Sequence, residues 1–205
     1  MLLRFATFLS LFVILFAVQN TVHAQEAASD AVPESAASEL AKQQAQALTD
    51  KVGSVAKSLS LEDANHFFVM YTNYNVYSMV KAVRDDVSDA VQACSENNKS
   101  MADDLKSKFD DWETEVGGAL EASKASITNM TLAQSYLPEN DVTLIFGLVD
   151  EVRAVDSSRF EKTPVTTPEA CEFMMGKMDE TKSTMSKMLK GTLITYPTLI
   201  QKNQK

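Results

Sequence analysis

The sequence predicts an all-α protein: an antiparallel helical bundle of about five helices, stapled by one disulfide and preceded by a cleaved N-terminal signal peptide. Three observations lead there. Apolar residues recur at spacings of three and four over most of the chain, which is the period of one helix face. No stretch alternates apolar with polar residues as a half-buried strand would. Serine, proline and glycine punctuation separates the periodic runs by short intervals, which suits antiparallel neighbours.

Residues 1–24 carry the expected signal peptide. They hold Arg4, an apolar run from Phe5 to Val18, and Val22-His23-Ala24, with small side chains at the two positions a signal peptidase reads. Cleavage before Gln25 leaves 181 of the 205 residues, enough for one domain with a real core. The apolar run is shorter than the roughly 20 residues a bilayer span needs. The chain has 28 acidic and 19 basic residues, a net charge of −9, and loss of Arg4 makes it −10. Such a surface disfavours nucleic acid and anionic lipid. After signal cleavage no apolar stretch is long enough to span a membrane. The expected location is therefore exported, periplasmic or extracellular.

The elements follow in order. Residues 25–38 are small and polar, contain Pro33, and read as a disordered leader. The bundle domain is expected over 39–191. Its first helix, Glu39 to Leu59, carries Leu48, Val52, Val55 and Leu59 on one stripe. Ser60 caps the second and longest helix, which runs to Asn97 with Glu62 and Asp63 in its first turn, where the macrodipole favours acids. At 100° per residue one face holds Val69, Val76, Val80, Val83, Val87, Ala90, Val91 and Cys94. Phe67, Tyr71 and Tyr74 lie opposite, and further along that opposite face becomes polar, with Lys81, Asp85, Asp89 and Gln92. The first half of this helix is therefore apolar on two sides and needs two covers. The first helix or the C-terminal tail is expected to supply the second.

Ser100 is the expected cap of a third helix, from Met101 to about Tyr136, in which Gly117-Gly118 is a possible bend. Asn140 or Asp141 caps a fourth, with Val142, Ile145, Leu148, Val149, Val152 and Val155 along its stripe. Thr167, Pro168 and Glu169 form a strong start for a fifth, which Gly191 is expected to stop. Residues 192–205 are left as an apolar C-terminal tail around Pro197.

Chemistry-bearing groups are few. Cys94 and Cys171, alone in an exported chain and without a C-x-x-C spacing, are expected to pair. Closing a loop of that length stabilises by about 4–5 kcal/mol in the chain-entropy description. Met174, Met175, Met178, Met185 and Met188 recur as a core stripe rather than as soft metal ligands. His66 is the only histidine after cleavage, so a histidine-ligated metal or haem is not expected. The acidic run from Asp103 to Glu115 is interleaved with Lys106 and Lys108 and reads as a solvated face with i,i+4 pairs. Phosphate loops, nucleophile elbows and zinc motifs are missing. Asn98 and Asn129 head glycosylation triplets.

The function expected from this is non-enzymatic: a soluble exported helical protein with a binding or structural role, acting on a protein partner. No catalytic residue, metal or cofactor is expected. The candidate ligand or partner surface is His66, Phe67, Tyr71 and Tyr74. The alternative is a carrier holding a small apolar ligand between helices. Reduction of the purified protein should add the mass of two hydrogens and lower the melting temperature. An unchanged mass and midpoint would remove the staple.

Overall fold

The computed structural model describes residues 34–158 and 164–203, with side chains described for 38–158 and 164–193. The expected signal peptide (1–24) and residues 25–33 of the leader lie outside the described residues, as do residues 159–163. Among the described residues all regular structure is helical: α1 (Glu34–Ser58), α2 (Leu61–Asn97), a 3₁₀ turn (Lys99–Met101), α3 (Ala102–Ala133), α4 (Glu139–Ser158) and α5 (Pro168–Asn203). None of these helices is long and apolar enough to cross a membrane.

Two helix starts form from the residues the sequence marks. The Ser60 side chain accepts the Asp63 N–H at 3.2 Å, with Glu62 and Asp63 in the first turn of α2. The Thr167 hydroxyl accepts the Ala170 N–H at 3.3 Å, and its carbonyl accepts the Cys171 N–H at 3.0 Å. Two other starts differ. Ser100 sits inside the 3₁₀ turn, and Met101 precedes α3 without a side-chain cap. The cause is Asn98, which closes α2 by donating its N–H to the Cys94 carbonyl at 2.8 Å. Its own carbonyl then accepts from Met101 at 2.9 Å and draws the chain into the turn. At α4 the Pro138 carbonyl accepts from Asp141 and Val142, while the Asp141 carboxylate pairs with Lys51 of α1 at 2.5 Å.

Two boundaries and one expected bend also differ. The expected leader ends early, because residues 34–38 already belong to α1; Glu and Ala there are good helix formers. Gly117 and Gly118 lie within the unbroken helix α3. A β-carbon on Gly117 would fall 2.5 Å from a Glu113 carboxylate oxygen, so the glycine leaves room for that side chain. Gly191 does not end α5, which continues to Asn203 through Pro197. The tail expected at 192–205 is helix over most of its length, although its side chains from 194 onward lie outside the described residues. A terminating glycine adopts positive φ, and no glycine here does so. One helical glycine costs only about 1 kcal/mol, while Leu189 and Thr192 on either side are buried. The Thr192 carbonyl also accepts from Asn73 Nδ2 of α2 at 3.3 Å.

Helix α2 belongs to two cores. Its C-terminal half contributes Val80, Val91 and Cys94 to a core with Leu105, Trp112, Val116 and Leu120 of α3 and Cys171, Met174, Met178 and Leu189 of α5. Met175 and Met185 pack against this core, whereas Met188 is exposed. The Cys94 and Cys171 sulfurs lie at disulfide distance, 2.09 Å, with Cα atoms 5.9 Å apart. Asn98 braces the same corner, donating from Nδ2 to the Thr166 carbonyl at 2.9 Å. Arg84 grips Glu113 of α3 with two hydrogen bonds of 2.9 and 2.8 Å.

The N-terminal half of α2 contributes Phe67 and Met70 to a second core. Its other members are Leu48, Val52 and Val55 of α1, Val142, Ile145 and Val149 of α4, and Met130 near the end of α3. Helices α1 and α4 are thus the second cover. Val69, which the projection groups with the valine face, packs against this second core instead, since the helix is surrounded at that level. Phe67 is 1% exposed. Phe67→Ala should cost about 3–5 kcal/mol of unfolding free energy. Leu61→Ala, at a position 82% exposed, should change it by no more than about 0.5 kcal/mol. Urea midpoints of the two variants would show the contrast.

Candidate functional site

The four aromatic and histidine residues picked out from the sequence do not form one surface. Phe67 is a core residue whose ring stacks on Tyr71 at 6.2 Å, and Tyr71 is half-buried in the same core. His66 faces the turn between α3 and α4. Its Nδ1 is hydrogen bonded to the Tyr136 hydroxyl at 2.6 Å, with the two rings edge to face. Tyr74 lines the two open spaces described next.

Tyr74 is the hinge point between those spaces. Its ring lies flat on Phe146 of α4, with centroids 3.8 Å apart and planes 1° apart. Its hydroxyl donates to Asp150 Oδ2 at 2.7 Å. One turn further along α2, Ser78 donates to the other Asp150 oxygen at 2.6 Å. Arg153, three residues beyond Asp150, donates to the Asn75 carbonyl of α2 at 2.6 Å. Three polar links and one aromatic stack therefore hold α4 against α2. Burial, followed by the Asp150 hydrogen bond, pushes the Tyr74 phenol well above its ordinary pKa. Burial pushes the Arg153 guanidinium downward, against Asp150 and Asp156, which hold it up.

On one side of Tyr74 lies an apolar groove of about 340 Å³. Tyr77, Ile127, Thr128, Leu132 and Phe146 line it, with Lys124 and Glu139 at the rim. On the other side lies a polar cleft of about 700 Å³ between α2 and α4. It is walled by Ser78, Lys81, Asp85, Asp86 and Asp89 of α2 and by Asp150, Arg153 and Ser157 of α4. Tyr74 and Tyr77 line both spaces. The polar face that follows Tyr74 in the sequence is therefore the cleft wall. Asp150, Arg153 and Phe146 are the part that sequence reasoning missed. In the sequence Phe146 is the one aromatic of α4, and Asp150 and Arg153 are two of its several charged residues, so nothing local marks them.

Among the described residues no group of three His, Cys, Asp or Glu side chains converges as a metal site would require. The arrangement offers aromatic stacking surface, hydroxyls already committed to Asp150, and carboxylates along one wall. No known protein family, curated protein or solved structure matches the chain.

His66 supplies a pH test. Burial lowers its pKa from 6.5, opposed by Asp63. The fold therefore prefers the neutral ring, and this contribution is complete above the unfolded pKa of about 6.5 and is lost as pH falls through the lowered native value. The stability difference between the wild type and His66→Gln should shrink as urea titrations move from about pH 7.5 to about pH 5. A difference that stays constant or widens would contradict the assignment.

Proposed function

We propose that this chain is an exported, non-enzymatic binding protein that receives a segment of a partner protein along the apolar groove lined by α2, α3 and α4. In this proposal residues 1–24 direct export and are removed, the Cys94–Cys171 pair is oxidised in the destination compartment, and the helices form an antiparallel up-and-down bundle.

One observation carries the proposal. The aromatic wall at Tyr74, Tyr77 and Phe146 stands open to solvent along one side, while Phe67 and Tyr71 are consumed by the core. Carriers of small apolar molecules enclose most of the ligand surface. An open groove with an apolar floor and charged ends instead suits a macromolecule that brings its own cover.

The test is site-specific photocrosslinking of the full-length protein in its native host. Leu132 on the groove rim is 78% exposed, and Phe173 on α5 is 62% exposed. A photoreactive side chain at 132 should give a discrete protein adduct, and one at 173 should not. Equal labelling at both positions, or none at 132, would sink the proposal.

A further inference from the structure

We infer that the occupant of the groove is a basic amphipathic helix, with an apolar anchor seated beside Tyr77 and Lys or Arg side chains set about 18 Å away along the acidic wall of the cleft. This rests on the partner-binding proposal above and adds the chemistry of the partner.

The apolar end sets the anchor. Ile127, Leu132 and Phe146 meet Tyr74 and Tyr77 in a space of about 340 Å³, which fits one or two side chains of Leu or Phe size. The charge at the other end sets the sign. Four aspartates line the cleft (Asp85, Asp86, Asp89 and Asp150) against two cations, Lys81 and Arg153. Lys81 is already spent on Asp85 at 2.7 Å. Arg153 is turned to the Asn75 carbonyl. Asp89 is exposed and forms no ion pair among the described residues. The described lining is therefore acidic, with Asp89 its exposed carboxylate outside any ion pair, on a chain whose net charge is −9. Basic segments are attracted, while anionic membranes and acidic peptides are repelled.

The spacing comes from the helix rise. Tyr77 and Asp89 are twelve residues apart on α2, about 18 Å at 1.5 Å per residue. An incoming helix lying along α2 must present its anchor and its cations at that same separation. A peptide whose cations adjoin the anchor would leave the acidic wall empty.

The probe is a set of three fluorescent synthetic peptides, assayed by anisotropy with the full mature protein. The first has a Leu-Phe anchor and a Lys/Arg cluster twelve residues away. The second replaces the cluster with Glu. The third moves the cations next to the anchor. The first should bind tightest, and its affinity should fall several-fold between about 0.05 M and about 0.5 M salt. Asp89→Lys, at an exposed position that leaves the cores untouched, should weaken it at least about fivefold. Thr128→Trp, which fills the apolar end, should weaken all three peptides, with circular dichroism confirming that it folds. Equal binding of the acidic or close-spaced peptide, no effect of Asp89→Lys, or no binding of the first peptide would overturn the inference. If the adduct at position 132 still forms in that event, partner docking stands and only the partner's chemistry is wrong.

Discussion

Met70 and Val80 are both fully buried, ten residues apart on the same helix, yet they belong to different cores. That double duty of α2 is the constraint on which the rest of the architecture depends. A helix exposes a limited arc, and one stripe suffices to seat it on a single neighbour. Between His66 and Tyr77 the apolar arc extends round both sides, so burying it takes α1 and α4 in addition to the helices that cover the valine face. Past Tyr77 the second arc turns polar, and α4 no longer has an apolar surface to follow. The cleft opens where the hydrophobic pattern of α2 changes, and its walls are the charged residues that replace the aromatics.

Polar contacts position what packing alone would leave loose. Hydrophobic burial fixes that α4 lies against α2 but is weakly directional. Asp150 fixes the register, because its two oxygens take one hydroxyl each from residues a turn apart, Tyr74 and Ser78. Charge-assisted hydrogen bonds of this kind are stronger than neutral ones. Arg153 adds a bond to a backbone carbonyl that already sits in a helix. The polar groups of Tyr74, Ser78, Asp150 and Arg153 are thereby committed to holding α4 in place. Outside that lock stand the apolar floor and Asp89, which forms no ion pair among the described residues.

Most of the helices were legible in the sequence, because periodicity and caps are local. Ser60 and Thr167 begin helices as their neighbours imply. The errors came where a long-range contact outweighed a local preference. Gly191 looks like a stop until Leu189 and Thr192 are seen buried, with Asn73 holding the Thr192 carbonyl. Ser100 looks like a cap until Asn98 is found organising the corner beside Cys94 and Cys171. The site was legible only at Tyr74. His66, Phe67 and Tyr71 are close to it in sequence, but their side chains leave the helix at other angles. Asp150 and Phe146 come from 76 and 72 positions further along the chain, a pairing that no local pattern encodes.

Sharing one helix between two cores also gives the molecule an order of release. Helix α1 packs chiefly on α4, and α4 meets α2 only along the first half of its length. The cysteine pair and the Arg84–Glu113 grip both lie on the other half of α2. Helices α1 and α4 therefore bear on the second core alone, and stripping them away would bare Phe67 and Met70 of α2 and Met130 of α3 while sparing the side chains of the first core. The departure of α4 would strip one wall from both the groove and the cleft. Partial opening of this kind has a free energy below that of global unfolding. The groove exists only while α4 stays docked, so any ligand bound there would strengthen the hold of α4 on the rest of the protein.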